Sequence, residues 1–506
     1  MTDTRRAHRG LSARTLAGRT LAGRTLAGRI EFHSGRALAK IAVCLVIASA
    51  GAYLPEHAGL GDAGRASLWI LLLAAGLWIS EAIPAFAVAL LVIGLQILLL
   101  GAPGGPLAGP DEPDAWQTFT DPWAAPAMWL FFAGLVMARS AERTGLAAWF
   151  AQHALAATGG RGPLVLVAAM AVTTAFSMFI SNTATAALMV AVLGPVLASA
   201  REMGTRGRAA LLAGVAFAAN LGGMTTIISS PPNAIAAGLL AEVRPISFLE
   251  WLALGAPIAF LLIGGLTAVM ALRVRGTRFT GSEPASRPPA LLELADRSID
   301  PEAPWLWQKL VVMTVFTITV LLWMTEAWHG LPAAVVSFLP IVALSVTGVI
   351  RREDMRALQW DILILLAGGL SLGVGVAESG LARWLAVRIA ELPAAPWVLA
   401  LALCYVTTLL SNLMSNTATA NLILPMALAL GLELGGPLLA AQFVLPVALA
   451  ASSGMALPIS TPPNAIVHAT GQLGARDLLG GGVMVSLLTP PLAVGWCFPV
   501  LAWLGG

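Results

Sequence analysis

Two heptapeptides hold most of the chemistry available to this chain. Positions 181–187 read SNTATAA and positions 415–421 read SNTATAN, 234 residues apart. Ser and Thr hydroxyls, an Asn amide and the free N–H groups at a helix start can donate to an anion, whereas the amide oxygen and carbonyls released from a helix can coordinate sodium. A second pair of polar breaks follows them, SSPPN from Ser229 and STPPN from Ser460. Two consecutive prolines remove amide donors and force a helix to break. A lone SNT reads as well as a tight turn between helices; SNT and PPN together, each duplicated in register, do not. No Lys, Arg or His stands beside either SNT. Compensation for a dianion must then come from elsewhere, and bound sodium supplies it.

These breaks interrupt an otherwise apolar chain. The 506 residues have a mean hydropathy of +0.83 and are 11% charged, against roughly 25% in a soluble domain. Apolar stretches near 38–54, 67–83, 85–101, 251–272, 306–325, 332–350 and 479–503 are each long enough to cross a ~30 Å hydrocarbon layer as a helix. Alternating barrel patterning is absent, so the backbone satisfies itself within helices. The expected class is an all-α polytopic membrane protein of about 11 spans plus two re-entrant hairpins.

Loop charges orient it. Residues 1–37 form a basic arm, with RTLAG written three times from Arg14; it reads as a cytoplasmic tail beside anionic headgroups rather than an organelle transit peptide. The stretch 102–123 contains Asp111, Glu112, Asp114 and Asp121 without Lys or Arg, whereas 200–208 contains Arg201, Arg206 and Arg208 against Glu202, and 273–278 contains Arg273, Arg275 and Arg278. Acidic loops lie outside and basic loops inside, which places the N-terminus in the cytoplasm, the C-terminus outside, and the protein in the cell's inner (plasma) membrane. The Pro-rich stretch 274–305 is a cytoplasmic linker between 38–273 and 306–506.

The two parts repeat each other. AERTGLAAWFA at 141–151 answers VAESGLARWLA at 376–386, LWISEA at 77–82 answers LWMTEA at 322–327, and the SNT and PPN pairs keep the same order. An odd number of crossings between copies, about five, inverts the second relative to the first, the arrangement of secondary transporters. Residues of about 163–199 and 394–432 then read as hairpins entering from opposite faces, each with SNT at its tip. Irregular backbone at that depth needs protein or a water-filled cavity around it, so the two tips create one site.

The paired Ser181-Asn182-Thr183 and Ser415-Asn416-Thr417, each followed by a PPN break, resemble the divalent anion:sodium symporter family, the INDY-type dicarboxylate transporters. The likeness covers roughly 38–503. It implies a homodimer working as an elevator, with sodium-driven uptake of a C4-dicarboxylate such as succinate, malate or fumarate; sodium-independent exchange, or transport of citrate or sulfate, are the alternatives. It also implies one substrate carboxylate at each SNT tip, flanked by Ser230 and Pro231 and by Thr461 and Pro462. A first sodium would be held by Ser177, Ser181, Asn182 and the backbone at Ser229, and a second by Ser411, Met414, Asn416 and the backbone at Ser460. Ser229 departs from the glycine of many relatives.

Other readings are weaker. Cys44, Cys404 and Cys497 lie in apolar segments without metal spacing, and His153 and His468 are isolated, so neither a disulfide framework nor a metal cluster is expected. Glu81 and Glu326 fall at helix ends, where a cap or scaffold ion pair outweighs proton coupling. HExxH is missing and no His/Asp cluster lies among the spans, and a channel would repeat its polar residues along a helix. No organic cofactor and no nucleic-acid partner are expected.

Overall fold

The structure, a computed structural model, describes residues 34–54, 57–108, 114–199, 204–275 and 306–504. Most of the basic arm, Asp111 and Glu112, Arg201 and Glu202, Arg278 and nearly all of the linker lie outside the described residues. What is described is helical, without a β-strand. Eight helices are long and apolar enough to cross a membrane, and shorter apolar helices lie between them.

The chain opens with α1 (Ser34–Tyr53), α2 (Asp62–Ser80), α3 (Ala85–Gln96, continued by a π-helical turn) and α4 (Pro126–Arg143). Gly145, at φ 65°, turns the chain into the short α5 (Leu146–Ala156). There follow α6 (Gly162–Ser177), α7 (Asn182–Ser199), α8 (Gly204–Gly222), α9 (Pro231–Leu240) and α10 (Phe248–Arg273). A Ser247/Glu250 capping box starts α10, satisfying donors that no carbonyl reaches.

The second part runs α11 (Leu306–Met324), α12 (Glu326–His329), α13 (Ala333–Val336), α14 (Phe338–Val346), α15 (Arg352–Arg356) and α16 (Trp360–Glu378). Gly380, at φ 74°, turns it into α17 (Leu381–Ala390) as Gly145 does earlier. Then come α18 (Pro396–Leu413), α19 (Asn416–Ser452), α20 (Pro462–Ala469) and α21 (Ala475–Leu504). Non-helical Gly435 and Gly436 kink α19 into two helices. The order of α5 to α10 therefore recurs in α17 to α21.

The proposed hairpins are α6 with α7 and α18 with α19, and each packs on the broken helix after it: α6 on α8, α18 on the far half of α19. Across the repeats α9 packs on α19, α20 on α7 and α8, and α10 on α21. The first helices form a second body, with α3 against α16 and α1 against α2. The hairpins contact that body unequally: α19 packs against α16, α17 and α2, whereas α7 packs against α5 but not closely against α4.

Charge is used sparingly. Buried Asp354 in α15 receives Arg143, Arg139 at 3.2 Å and the Arg351 N–H at 3.0 Å, which fastens α4 to the chain before α16. Burial pushes the Asp354 carboxyl up, but the Arg351 N–H and the two guanidinium groups outweigh it and hold it below its ordinary value. Exposed Glu81 ends α2 in a left-handed turn, and Glu326 opens α12, where partial burial raises its pKa.

Candidate functional site

Each SNT sits where a helix ends and another begins. Residues 178–181 separate α6 from α7, and Met414, extended at φ −136° and ψ 177°, and Ser415 separate α18 from α19. The Asn is the first residue of the new helix in both repeats, so its turn presents unpaired N–H groups. Ser415 caps α19 by accepting the Ala418 N–H at 3.2 Å; Ser181 has no such bond. Asn182, Thr183, Asn416 and Thr417 are half-buried, Ser181 also, and Ser415 is exposed.

Beneath each tip three oxygens converge. The fully buried Ser177 hydroxyl faces Asn182 Oδ1 at 2.6 Å and the Ala219 carbonyl at 2.5 Å. Ser411 faces Asn416 Oδ1 at 2.7 Å and the Ala451 carbonyl at 2.5 Å. One hydroxyl proton cannot serve two acceptors. With the amide oxygens so turned, each cluster gathers three oxygens around one hydroxyl proton and contains no carboxylate, a neutral oxygen set that suits a small hard monovalent cation, as carbonyls and helix ends do at the sodium sites of transporters. Glycine allows the close approach: any Cβ on Gly223 would strike the Asn182 amide, and one on Gly454 would strike Ser411.

The unwound loops 223–230 and 453–461 are held alike. Asn233 Nδ2 donates to the Gly223 and Thr226 carbonyls at 2.9 and 2.7 Å; Asn464 Nδ2 donates to Met455 and Leu457 at 2.8 and 2.9 Å. The Ser229 hydroxyl also faces Gly223 and Thr226, and Ser460 donates to Asn412 O at 3.0 Å while accepting the Leu457 N–H. Both serine side chains are engaged within the fold, so ligation at these two positions would have to come from their carbonyls. The Met224 carbonyl lies against Gly255 and accepts from Trp251 Nε1 at 3.2 Å, and that of Met455 lies against Gly482.

Ser230 and Thr461, both buried, are the residues just before α9 and α20; Pro231 is half-buried and Pro462 exposed. Here the halves differ. Asn220 Nδ2 crosses to Thr461 Oγ1 at 3.0 Å and Asn464 Oδ1 at 3.2 Å. At the matching place Ser452 meets only Ser230, Oγ to Oγ at 3.5 Å, and buried Asn233 Oδ1 has no partner.

Sequence reasoning missed several of these groups. The Ala219 and Ala451 carbonyls leave no trace in residue type. Asn220 had a signal, a polar residue inside the apolar run AFAANLGG, and Asn233 and Asn464 stand in the PPN breaks themselves. The buried hydroxyls of Thr185 and Thr419, four residues beyond Ser181 and Ser415, lack partners in both repeats. No group of three His, Cys, Asp or Glu suited to a metal occurs among the described residues.

Residues 35–504 match the family described as the sodium:sulfate symporter transmembrane region. A sodium-dependent dicarboxylate transporter, SdcS, of Staphylococcus saprophyticus is 29% identical over 460 residues, 85% of each chain. SdcS of Staphylococcus aureus is also 29% identical, over 84% of this chain and 82% of its own. Among solved structures, the Alcanivorax borkumensis YdaH transporter aligns with a TM-score of 0.53 at 15% identity, over 83% of this chain and 97% of that one, which is a likeness of fold.

Proposed function

The chain belongs to the sodium:sulfate symporter family, the divalent anion:sodium symporters, and we propose that it couples sodium entry to uptake of a C4-dicarboxylate such as succinate, malate or fumarate. It is a multi-pass membrane transporter and not an enzyme. The observation that carries the proposal is the pair of proton-poor oxygen clusters, Ser177 with Asn182 and Ala219, and Ser411 with Asn416 and Ala451. The SdcS relatives support dicarboxylate as the cargo.

In this reading sodium is held by Ser177, Ser181, Asn182 and the Ser229 backbone, and again by Ser411, Met414, Asn416 and the Ser460 backbone. The bound ions then stand in for the basic side chain that neither SNT has among its hydrogen-bond partners. One substrate carboxylate meets Ser181, Asn182 and Thr183 with Ser230 and Pro231; the other meets Ser415, Asn416 and Thr417 with Thr461 and Pro462. The N-termini of α7, α9, α19 and α20 favour the negative charge.

Transport proceeds by an elevator in a homodimer of the inner membrane, with α6–α10 and α18–α21 moving past the remaining helices and the linker inside. Burial supports an inward-facing state for this conformation: Ile228 is 5% exposed beside Gly134, whereas the equivalent Ile459 is 82% exposed. The test is uptake of labelled succinate into proteoliposomes. An inward sodium gradient is expected to drive saturable accumulation that choline abolishes. Equal counterflow without sodium would make the protein an exchanger, and uptake of citrate or sulfate but not succinate would move the substrate class.

A further inference from the structure

We propose that Asn220 is a positioning residue that aims the Thr461 hydroxyl, committing Thr461 to donate to an ionised carboxylate at the second-repeat end of the site. The inference rests on the transport reading above. A hydroxyl oxygen has two lone pairs and one proton. Both lone pairs of Thr461 are in use, one accepting Asn220 Nδ2 at 3.0 Å and the other the Asn464 N–H at 3.3 Å. The proton must point in the remaining direction, and no described residue accepts it there. A buried donor without an acceptor is costly, and a ligand carboxylate removes the cost.

The orientation is set from the main chain, where donor and acceptor are unambiguous. The Met455 and Leu457 carbonyls take both protons of Asn464 Nδ2, so Asn464 Oδ1 faces the other way as an acceptor. That oxygen receives Asn220 Nδ2 at 3.2 Å, which fixes the flip of the Asn220 amide and presents the same nitrogen to Thr461. All three residues are at most 3% exposed, so water does not compete. The first repeat lacks this relay. Ser230 meets only the Ser452 hydroxyl at 3.5 Å, and either oxygen can be the donor. The Thr461 end therefore demands an acceptor, while the Ser230 end takes a donor or an acceptor.

A double-mutant cycle on sodium-driven succinate uptake tests this. Thr461→Val is expected to raise KM roughly 10-fold or more, the scale of a hydrogen bond to a charged group. Asn220→Ala should raise KM roughly 3- to 10-fold with turnover kept, as for a neutral bond. In the Thr461→Val background Asn220→Ala should add nothing, and Thr461→Ser should restore a KM near wild type. Independent, multiplying effects on KM, or lower turnover at unchanged KM, would overturn the inference, because both describe a structural role. Should Asn220→Ala not insert, Asn220→Ser takes its place.

If wild-type protein takes up no succinate, the transport reading has failed separately. The same variants are then compared by thermal stabilisation with sulfate, citrate and phosphate. The relay survives only if the dianion that stabilises wild type stabilises both single variants and the double variant equally less. Stabilisation of wild type by none of them overturns both.

Discussion

In the first repeat the loop 223–230 is buried throughout, with Ile228 against Gly134, and α7 packs against α5 and less closely against α4; in the second, α19 packs against α16, α17 and α2 while Ile459 stands in the open. Nearly the same residues line both halves. What differs is how each is seated. An inverted repeat predisposes a protein to two alternative seatings, with one half covered while its counterpart is exposed. The oxygen clusters beneath the SNT tips, by contrast, match to within 0.1 Å in both hydroxyl contacts. The oxygen clusters are symmetric and their coverings are not.

The largest expected effect tests the symmetric part. If each amide serves an ion and a carboxylate, as proposed, Asn182→Ala and Asn416→Ala should each abolish sodium-driven uptake in protein that still inserts. Uptake above about a tenth of wild type, a loss under ~1.4 kcal/mol, in either variant would break the equivalence of the halves. Next in size are Gly223→Ala and Gly454→Ala, whose methyl groups would strike Asn182 and Ser411. Each is expected to raise the half-saturating sodium concentration about 10-fold, the order of 1.4 kcal/mol of lost packing and ligation. A shift in one variant alone would show that only one cluster binds an ion.

A smaller effect concerns the ion pairs that fasten α4 to the chain before α16. Asp354→Asn leaves Arg143 without its carboxylate and Arg139 with Glu142 alone, and should lower stability by about 1–3 kcal/mol, read as a fall in the unfolding temperature in detergent. Because the folded carboxyl lies below its ordinary value of 3.8, its contribution is present above that value. It is lost as pH falls through the lower folded pKa, so wild type and variant should converge in strong acid and differ at neutral pH.

The smallest effect targets the covering. Asn421, where the second heptapeptide departs from the first, donates to the Leu365 carbonyl of α16 at 3.1 Å and lies over Gly369, and Ala187 at the same place has no amide. Asn421→Ala should cost this state about 0.5–1.5 kcal/mol. The measurement is thiol labelling of an Ile459→Cys reporter, which should slow roughly 2- to 10-fold as Ile459 spends more time covered. Unchanged labelling would detach this amide from the asymmetry.

Much of this was legible beforehand, for physical reasons. A polar triplet inside an apolar run must break a helix, and the helices do change at 178–181 and at Met414 and Ser415. Helical, membrane-spanning character follows from composition alone. The rest depends on groups that residue type does not reveal. Ala219 and Ala451 contribute carbonyls that every residue has. The bond from Asn220 to Thr461 spans 241 positions, and spacing within a segment carries no information at that range. The side chains of Ser229 and Ser460 turn into their own surroundings, which only the folded loops disclose.

The central claim is that sodium supplies the positive charge the site lacks, and succinate binding by calorimetry in sodium, potassium and choline tests it most directly. Coupling of 1–3 kcal/mol between ion and anion predicts an apparent Kd roughly 5- to 150-fold weaker in choline than in sodium, with potassium as ineffective as choline at clusters this tight. Equal affinity in all three would mean that Ser177, Asn182, Ser411 and Asn416 are not ion ligands, and sodium-independent exchange would replace symport.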